Sequence, residues 1–344
     1  MKSLQRIFRI LLGLSVLMPA QAQHMGTAVA TFLDFPMSAH VAALGGANAC
    51  YLGEDASFSL LNPALLSSRY ARLLSLNYSV YMATTGYGST SYQLAFSDRD
   101  AFAAGVQFAH YGKFDEYDAR GTELGTYTAG DVALYASYSR VLNRYFSVGA
   151  TVKPILGSYA DYNFFSLGAD LGLHFNDTTL LVAAGLTVRN IGGRIAGSEA
   201  MAEASHWLPI HVSMGVVKRF KHAPFALHLT LQDLQKWNYD YAVGQVDDDK
   251  GKVGAGLMIA RKLVLGLDVV PKNDRFWLAL SYNFDRGLSL ANPYVVSVSG
   301  LSFGGGARIY MFRLGVAMSF YGSSAVTGQF SLAVDLNGFQ KKAL

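Results

Sequence analysis

The stretch F-S-L-G-A-D-L-G-L-H-F-N, residues 165–176, alternates between large apolar residues and small or polar ones. One face carries Phe165, Leu167, Ala169, Leu171, Leu173 and Phe175. The other carries Ser166, Gly168, Asp170, Gly172, His174 and Asn176. Successive side chains of a strand point to opposite faces, so this stretch is predicted to be a β-strand with one apolar and one small, polar surface.

The same period of two recurs through most of the chain after residue 72. It is found at residues 73–82, 87–97, 101–112, 131–141, 145–157, 165–176, 179–189, 208–220, 225–232, 263–271, 275–284, 300–309, 311–321 and 327–337. A tilted strand needs about 9–11 residues to cross a bilayer, whereas strands of globular proteins average about 5–6. The length of these segments therefore favours a membrane barrel over a soluble sandwich.

The composition agrees with a membrane barrel. Charged residues make up 15% of the chain, against about 25% in typical globular domains, and the mean hydropathy is +0.22. Yet no stretch after residue 22 offers the roughly 20 apolar residues that a spanning helix needs. The nearest, residues 253–270, is broken by Arg261, Lys262 and Asp268. A bilayer then leaves a closed barrel, in which every backbone N–H and C=O is paired internally.

The lengths of the connections decide the strand number. Bacterial barrels have an even number of strands, with short periplasmic turns and longer external loops. Every second connection is short if residues 253–261 are not a strand, at 98–100, 142–144, 177–178, 221–224, 272–274 and 310. We therefore predict an all-β, fourteen-stranded antiparallel transmembrane barrel with both termini in the periplasm. Residues 253–261 are placed in an external loop, as a short helix.

The first 22 residues are predicted to be a cleaved signal peptide. Lys2, Arg6 and Arg9 precede an apolar run, and Ala20-Gln21-Ala22 is an A-x-A cleavage site. The whole chain has a formal net charge of +4, and this segment carries three positive charges, so the rest of the chain has a net charge of +1. A nearly neutral chain gives no electrostatic reason to expect binding to nucleic acid. The single cysteine, Cys50, is expected to be a small buried residue.

Residues 23–71 lack the strand pattern and are predicted to be a hatch, a segment that plugs the lumen. A turn is expected at Gly45-Gly46, and Asp55 is placed to cap a short helix that ends at Asn62-Pro63. The barrel is then assigned to residues 72–337, followed by a C-terminal tail at 338–344.

No constellation of residues predicts catalysis, a cofactor or a metal site. Asp247, Asp248 and Asp249 lack the spaced ligands of a calcium loop. His206 and His211 lack the helical HExxH context of a zinc pair. Gly304–Gly306 lies within a predicted strand, with no following helix to hold phosphate.

The longest external loop, residues 233–262, opens with aromatic residues. Two interpretations of Trp237, Tyr239 and Tyr241 stay open: an aromatic girdle at the membrane surface, and anchors for an extracellular partner. Together with Asp247, Asp248 and Asp249 they form the candidate partner-binding site.

Several motifs carry a family resemblance. Residues 32–46 (F-L-D-F-P-M-S-A-H-V-A-A-L-G-G) and 62–66 (N-P-A-L-L) resemble the opening of the PorQ family of the type IX secretion system. Further matches are Gln107 with 111–114, 188–192, 221–225, 231–237 and 300–308. Asp34-Phe35 departs from the family's Asn-Leu, and the chain continues past Phe339, where a barrel is expected to stop. More distantly, the opening resembles fatty-acid-transporter-like (FadL-like) barrels with fourteen strands and a hatch.

The resemblance implies a non-enzymatic outer-membrane barrel, surrounded by outer-membrane lipid, in the protein secretion machinery at the cell surface. PorQ-like barrels hold a surface component, PorZ, while cargo proteins are attached. A PorZ-like protein and other type IX components are therefore the expected partners. The alternative is a FadL-like channel for hydrophobic small molecules.

Overall fold

A computed structural model describes residues 28–52, 55–81, 85–118, 120–160, 162–199, 206–237, 255–271, 273, 275–290, 298–322 and 325–340. These residues form a closed antiparallel barrel of fourteen strands, each paired with its neighbours in sequence and β1 paired with β14. The predicted fold class and strand number are confirmed. Within the described residues, no helix is long and apolar enough to cross a membrane.

The strands are β1 Leu73–Tyr81, β2 Thr85–Ala95, β3 Asp100–Tyr117, β4 Glu123–Val141, β5 Phe146–Tyr159, β6 Tyr162–Asp177, β7 Val182–Gly197, β8 His211–Arg219, β9 Phe225–Leu231, β10 Leu263–Val269, β11 Phe276–Asn283, β12 Leu301–Ile309, β13 Phe312–Phe320 and β14 Val326–Asp335. The helices are α1 Ala39–Ala43, α2 Ala255–Arg261, α3 Phe284–Ser289 and α4 Asn337–Gln340, with 3-10 turns at Thr31–Asp34, Ala56–Leu60, Pro63–Leu65 and Ser68–Tyr70. The helix expected within 253–261 is therefore present as α2.

The alternation of side chains is as predicted. In β6, Leu167 and Leu171 are exposed on the outer face, while Ser166 and Asp170 are buried in the lumen. A closed ladder leaves no strand edge along the wall, so the backbone is satisfied while the outer face stays apolar.

The two ends of the barrel differ. Six compact turns lie at one end, here called the short-turn end, and the longer connections lie at the other, the long-hairpin end. Three segments expected to be connections are in part strand: β3 and β4 extend through most of 113–130, β5 and β6 through most of 158–164, and β7 to Gly197. Those expectations were wrong because these segments lack the regular alternation of apolar and polar residues on which the strand prediction rests.

The hatch occupies the lumen. Its turn at Gly45 and Gly46 has φ values of 90° and 84°, which glycine adopts without strain. Asp55 caps the 3-10 turn that follows by accepting from Ser57 N at 2.9 Å. The chain enters β1 at the short-turn end, whereas Val29 N donates to Trp207 O, on the segment that precedes β8 at the long-hairpin end.

Glycines of the wall allow the hatch to approach closely. A Cβ at Gly149 of β5 would lie 2.5 Å from Ala64 N and as close to the carbonyl of Pro63, both backbone atoms. Ser147 Oγ donates to Ala64 O at 2.8 Å beside it. A larger residue at Gly149 would therefore force the hatch away from β5.

We predict that Gly149→Ala lowers the free energy of unfolding by about 1–3 kcal/mol, the usual cost of overpacking. The measurement is urea unfolding of the barrel in phospholipid vesicles, followed by its heat-modifiable mobility. Gly328→Ala is the matched control, because its added Cβ would meet nothing nearer than Phe330 Cε2 at 3.9 Å. Equal stabilities of the two variants would contradict the packing of the hatch on β5.

Candidate functional site: the hatch and the lumen wall

Apolar clusters hold the hatch in both halves of the lumen. Towards the long-hairpin end, Phe32 and Leu33 pack against wall residues that include Tyr87 and Ile155. Lower in the lumen, α1 and Phe58 pack against Ala279 and other wall residues. The described part of the lumen is thus filled by a hydrophobic core rather than by a water-filled channel.

His40 of α1 lies at the centre of a buried charge cluster. Its Nδ1 is 2.6 Å from Asp55 Oδ2, and its Nε2 is 3.2 Å from Asp268 Oδ2 of β10. The imidazole stacks on Trp277 of β11, with ring centroids 4.0 Å apart. Tyr51 OH also donates to Asp268 Oδ2, at 3.4 Å. One histidine therefore connects two parts of the hatch to the wall.

The carboxylates set the charge of this imidazole. Burial alone lowers the pKa of His40, but the charges and hydrogen bonds of Asp268 and Asp55 outweigh burial and raise that pKa to about 9. Burial alone would raise the pKa of Asp55. The charge and hydrogen bond of His40, together with the hydrogen bonds from Ser57, outweigh burial and hold that pKa below its usual range. At neutral pH the His40 side chain is therefore an imidazolium, hydrogen-bonded to Asp55 and Asp268.

A second histidine makes an equivalent connection nearer the long-hairpin end. His211, the first residue of β8, places Nε2 2.6 Å from Asp34 Oδ1 of the hatch. Its Nδ1 lies 2.5 Å from Asp233 Oδ1, just after β9. Burial alone would raise the pKa of Asp233. The charge of His211 and its hydrogen bond to Asp233 outweigh burial and hold that pKa far below its ordinary value. Both ring nitrogens of His211 are thus engaged with carboxyl groups of this chain, those of Asp34 and Asp233.

A third buried charge pair lies within the wall. Lys153 Nζ of β5 is 2.9 Å from Asp170 Oδ1 of β6 and donates to Asn190 Oδ1 at 2.6 Å. Asn190 N donates to Asp170 Oδ1 at 2.7 Å, at a β7 residue with a φ of 58°. Buried charges are tolerated only when they are paired, so these residues act together to brace β5, β6 and β7.

The long-hairpin end is covered by α2 and α3. Arg261 Nη1 donates to Asp285 Oδ1 at 3.1 Å and to Ser289 Oγ at 2.7 Å, which joins the two helices. Arg286 lies over the ring of Tyr321, with its Cζ 4.1 Å from the ring centroid. These contacts add a lid of paired side chains above the hatch.

The predicted partner-binding residues are only partly described. Trp237 is 57% exposed, and Lys262 Nζ lies 4.5 Å from its ring centroid. Burial lowers the pKa of Lys262 to about 8, although the charges of Asp233 and Asp285 act to raise that pKa. Tyr239, Tyr241, Asp247, Asp248 and Asp249 lie outside the described residues, so the role of this set stays a prediction.

A small cavity opens between the hatch and the wall at the short-turn end. Its volume is about 90 Å³, and its lining includes His40, Trp277, Leu73, Arg308 and Arg313. This is well below the roughly 300 Å³ at which pockets for drug-sized ligands begin. The cavity can accept only a small molecule unless the hatch moves.

The single cysteine of the chain packs inside the lumen. Cys50 is buried, 1% exposed, and burial raises the pKa of its thiol to about 12. Within the described ranges, no three His, Cys, Asp or Glu residues are arranged to hold a metal ion. Gly304–Gly306 lies inside β12, as expected.

Sequence reasoning missed the two histidine connections. The sequence did contain a signal for buried charge pairs. Asp268, Asp170 and Lys153 are charged residues on the inward faces of strands, and a charge in a packed lumen needs a partner. What the pattern lacks is the identity of the partners, since His40 and Asp268 are 228 residues apart.

The chain was compared with known proteins. No protein-family model matches it, and no curated protein sequence matches it. Among solved structures, it is similar to the Pseudomonas putida toluene transporter TodX, with a TM-score of 0.54 and 13% identity over 88% of this chain and 98% of TodX. It is also similar to the Ralstonia pickettii toluene transporter TbuX, with a TM-score of 0.52 and 12% identity over 88% of this chain and 98% of TbuX.

These likenesses show the fold alone, a closed barrel similar to those of TodX and TbuX. A Pseudomonas aeruginosa FadL homologue aligns more loosely, with a TM-score of 0.48 and 12% identity over 87% of this chain and 98% of that one. TodX and TbuX are both described as toluene transporters. Since neither a family model nor a curated sequence matches, the resemblance to PorQ rests on the sequence motifs.

We predict that the hatch loosens as the pH rises through about 9. The pKa of His40 is raised from 6.5 to about 9 when the hatch is docked. The protonated imidazole therefore stabilises the docked hatch fully at pH values below 6.5, and this stabilisation is lost as the pH rises through about 9. The lowered pKa of Asp55 acts oppositely, and its contribution is lost as pH falls below the usual range. Between pH 7.5 and 9.5 hatch opening should increase roughly tenfold.

The buried thiol of Cys50 reports on opening, measured as its reaction rate with a disulfide reagent relative to the unfolded chain at the same pH. His40→Gln is the matched variant and should show a smaller pH step than the unaltered chain, because the equivalent connection of His211 to Asp34 remains. An identical step in His40→Gln would contradict the assignment to His40.

Proposed function

We propose that this chain is an outer-membrane channel for small hydrophobic molecules. The observation that carries the proposal is a fourteen-stranded barrel with a hatch inside, similar over 88% of its length to TodX, which is described as a toluene transporter. An outer-membrane location, reached through a signal peptide at residues 1–22, belongs to the same proposal; residues 1–27 lie outside the described part of the chain.

The lumen offers surfaces suited to an apolar solute. Aromatic rings lie along its length, from Phe35 stacked on Tyr87 at 4.7 Å, to Tyr51 stacked on Phe58 at 4.3 Å, to Trp277 beside the cavity. An apolar ring passing along such surfaces remains out of water.

The filled lumen makes transport depend on the hatch. Among the described residues, Phe32 and Phe58 of the hatch are fully buried in the lumen, so we expect a solute to cross only while the hatch is displaced. The two histidine connections would then determine how often that happens. The small cavity at the short-turn end is where a solute would leave.

We predict that fixing the hatch stops transport. The variant Ala39→Cys/Ser331→Cys, in a Cys50→Ser background, places a cysteine pair where Ala39 N donates to Ser331 Oγ at 2.8 Å. Uptake of radiolabelled toluene by cells carrying the oxidised variant should fall at least tenfold and recover on reduction. Each single-cysteine variant is a matched control and should transport in both states.

Two outcomes would contradict the channel. Toluene uptake that is equal in cells with and without the protein would remove the substrate class. Uptake that is equal in the oxidised and reduced double variant, with the cross-link verified, would remove the role of the hatch.

Anchoring of a surface protein in type IX secretion is the second candidate function. Its support is the ordered series of PorQ-like motifs between residues 32 and 308, together with the packed lumen, because an anchor needs no passage. Trp237, exposed beside the long-hairpin end, is the described member of the proposed docking loop.

We predict for this second function that deleting residues 238–250 leaves a folded, heat-modifiable barrel but releases the PorZ-like partner into the medium. External loops tolerate such changes because the strand ladder carries stability. Retention of the partner on cells with the deletion would rule out this loop as the anchor. Normal toluene uptake by the deleted barrel would separate anchoring from transport.

A further inference from the structure

Strands β3 and β4 rise beyond their neighbours at the long-hairpin end. The pairing of β2 with β3 ends at Gly86 and His110, and that of β4 with β5 ends at Ala129 and Tyr159. Above these points, residues 112–117 and 123–128 pair only with each other among the described residues. The two segments form a two-stranded projection, here called the ribbon.

The ribbon is held in shape although isolated two-stranded hairpins are only marginally stable. Phe114 stacks on Tyr127 across the two strands, with ring centroids 5.4 Å apart. At the tip, Asp118 Oδ1 accepts from the backbone N–H groups of Arg120 and Thr122, each at 2.8 Å. A ribbon of defined shape can present its edges without first being ordered by a partner.

The two edges of the ribbon differ in their protection. Exposed strand edges are normally blocked by charged side chains or proline, because unpaired N–H and C=O groups accept foreign strands. The β3 edge carries Lys113, Asp115 and Glu116. The β4 edge, residues 123–128 (E-L-G-T-Y-T), has one charge and no lysine or proline.

Exposed apolar side chains lie on both strands of the ribbon, on β4 at Leu124 and on β3 at Phe114 and Tyr117. Leu124 is 62% exposed, Tyr117 is 57% exposed and Phe114 is 41% exposed. The ribbon carries two positive and four negative side chains: Lys113, Arg120, Asp115, Glu116, Asp118 and Glu123. The surface is therefore apolar with an acidic border, which a basic partner complements.

We propose that the β4 edge of the ribbon binds an extended, basic segment of an extracellular protein as an added β-strand. Six residues of edge give about 20 Å of backbone for pairing, at about 3.3 Å per residue. Main-chain hydrogen bonds supply the affinity in this mode of recognition, and alternate side chains supply the specificity. The proposal rests on the outer-membrane location and not on transport.

The first test uses the purified full chain in detergent micelles. The probe is a fluorescein-labelled peptide, Lys-Thr-Val-Thr-Lys-Val-Thr-Val-Thr-Lys, and binding is followed by fluorescence anisotropy. The matched barrel has residues 114–127 replaced by Asn-Gly, a two-residue hairpin turn that leaves Lys113 opposite Thr128. The matched peptides have glutamate for lysine, or N-methyl groups on alternate amides.

The intact barrel should bind the basic peptide at least tenfold more tightly than the shortened barrel does. Both altered peptides should bind the intact barrel at least tenfold more weakly. Equal binding by the shortened barrel would overturn the ribbon as the site. Equal binding of the N-methylated peptide would overturn strand addition, and absence of binding to either barrel would overturn the proposal altogether.

A thiol trap locates the edge. Thr126 and Asp115 are cross-strand partners that differ in the edge they occupy, and Cys50 is buried. A peptide with a terminal cysteine should form a disulfide with Thr126→Cys and not with Asp115→Cys. The reverse result would overturn the edge assignment. A concentration-dependent dimer of the intact barrel, absent from the shortened one, would make a second copy the occupant and overturn the proposed partner.

Discussion

An irregular segment inside a barrel needs a hydrogen-bond partner for each buried backbone carbonyl, and the rest of this structure depends on that requirement. The hatch has few regular elements, so its own helices satisfy only part of its backbone. The wall supplies the remainder: Ser147 donates to Ala64 O at 2.8 Å, Thr187 to Leu61 O at 3.0 Å, and Ser281 to Ala43 O at 2.8 Å. The small polar inward face of the strands is therefore shaped by the hatch as much as by the lumen.

The same requirement explains where charges occur. A charge in the packed lumen costs several kcal/mol unless it is paired, and His40 and His211 are each placed between two carboxylates. In both cases the two carboxylates come from different elements, so each pair also joins the hatch to the wall. Polar groups of the wall that water would solvate in an open lumen are paired with the hatch here.

Much of the fold could be predicted from the sequence because a membrane wall has one apolar face at every strand. The alternation in residues 165–176 and 225–232 located β6 and β9, and loop lengths placed residues 253–261 outside the wall, where α2 lies. The parts of β3, β4 and β7 nearest the long-hairpin end were not predicted, because the period of two in apolar residues is lost there. The site escaped for a different reason: pairs such as His211 with Asp34 are 177 residues apart, and no local pattern encodes them.

The central claim is that the hatch is a packed part of the barrel core, and hydrogen exchange of its amides tests this most directly. Ala42 N donates to Ser38 O at 2.9 Å, Gly46 N to Val41 O at 2.9 Å, and Asn62 N to Phe58 O at 3.0 Å, all within the lumen. At pH 7 in lipid vesicles, these amides should exchange as slowly as amides in the middle of β12, since both lie in the protected core. Exchange of the hatch amides within seconds, beside protected strand amides, would contradict the account.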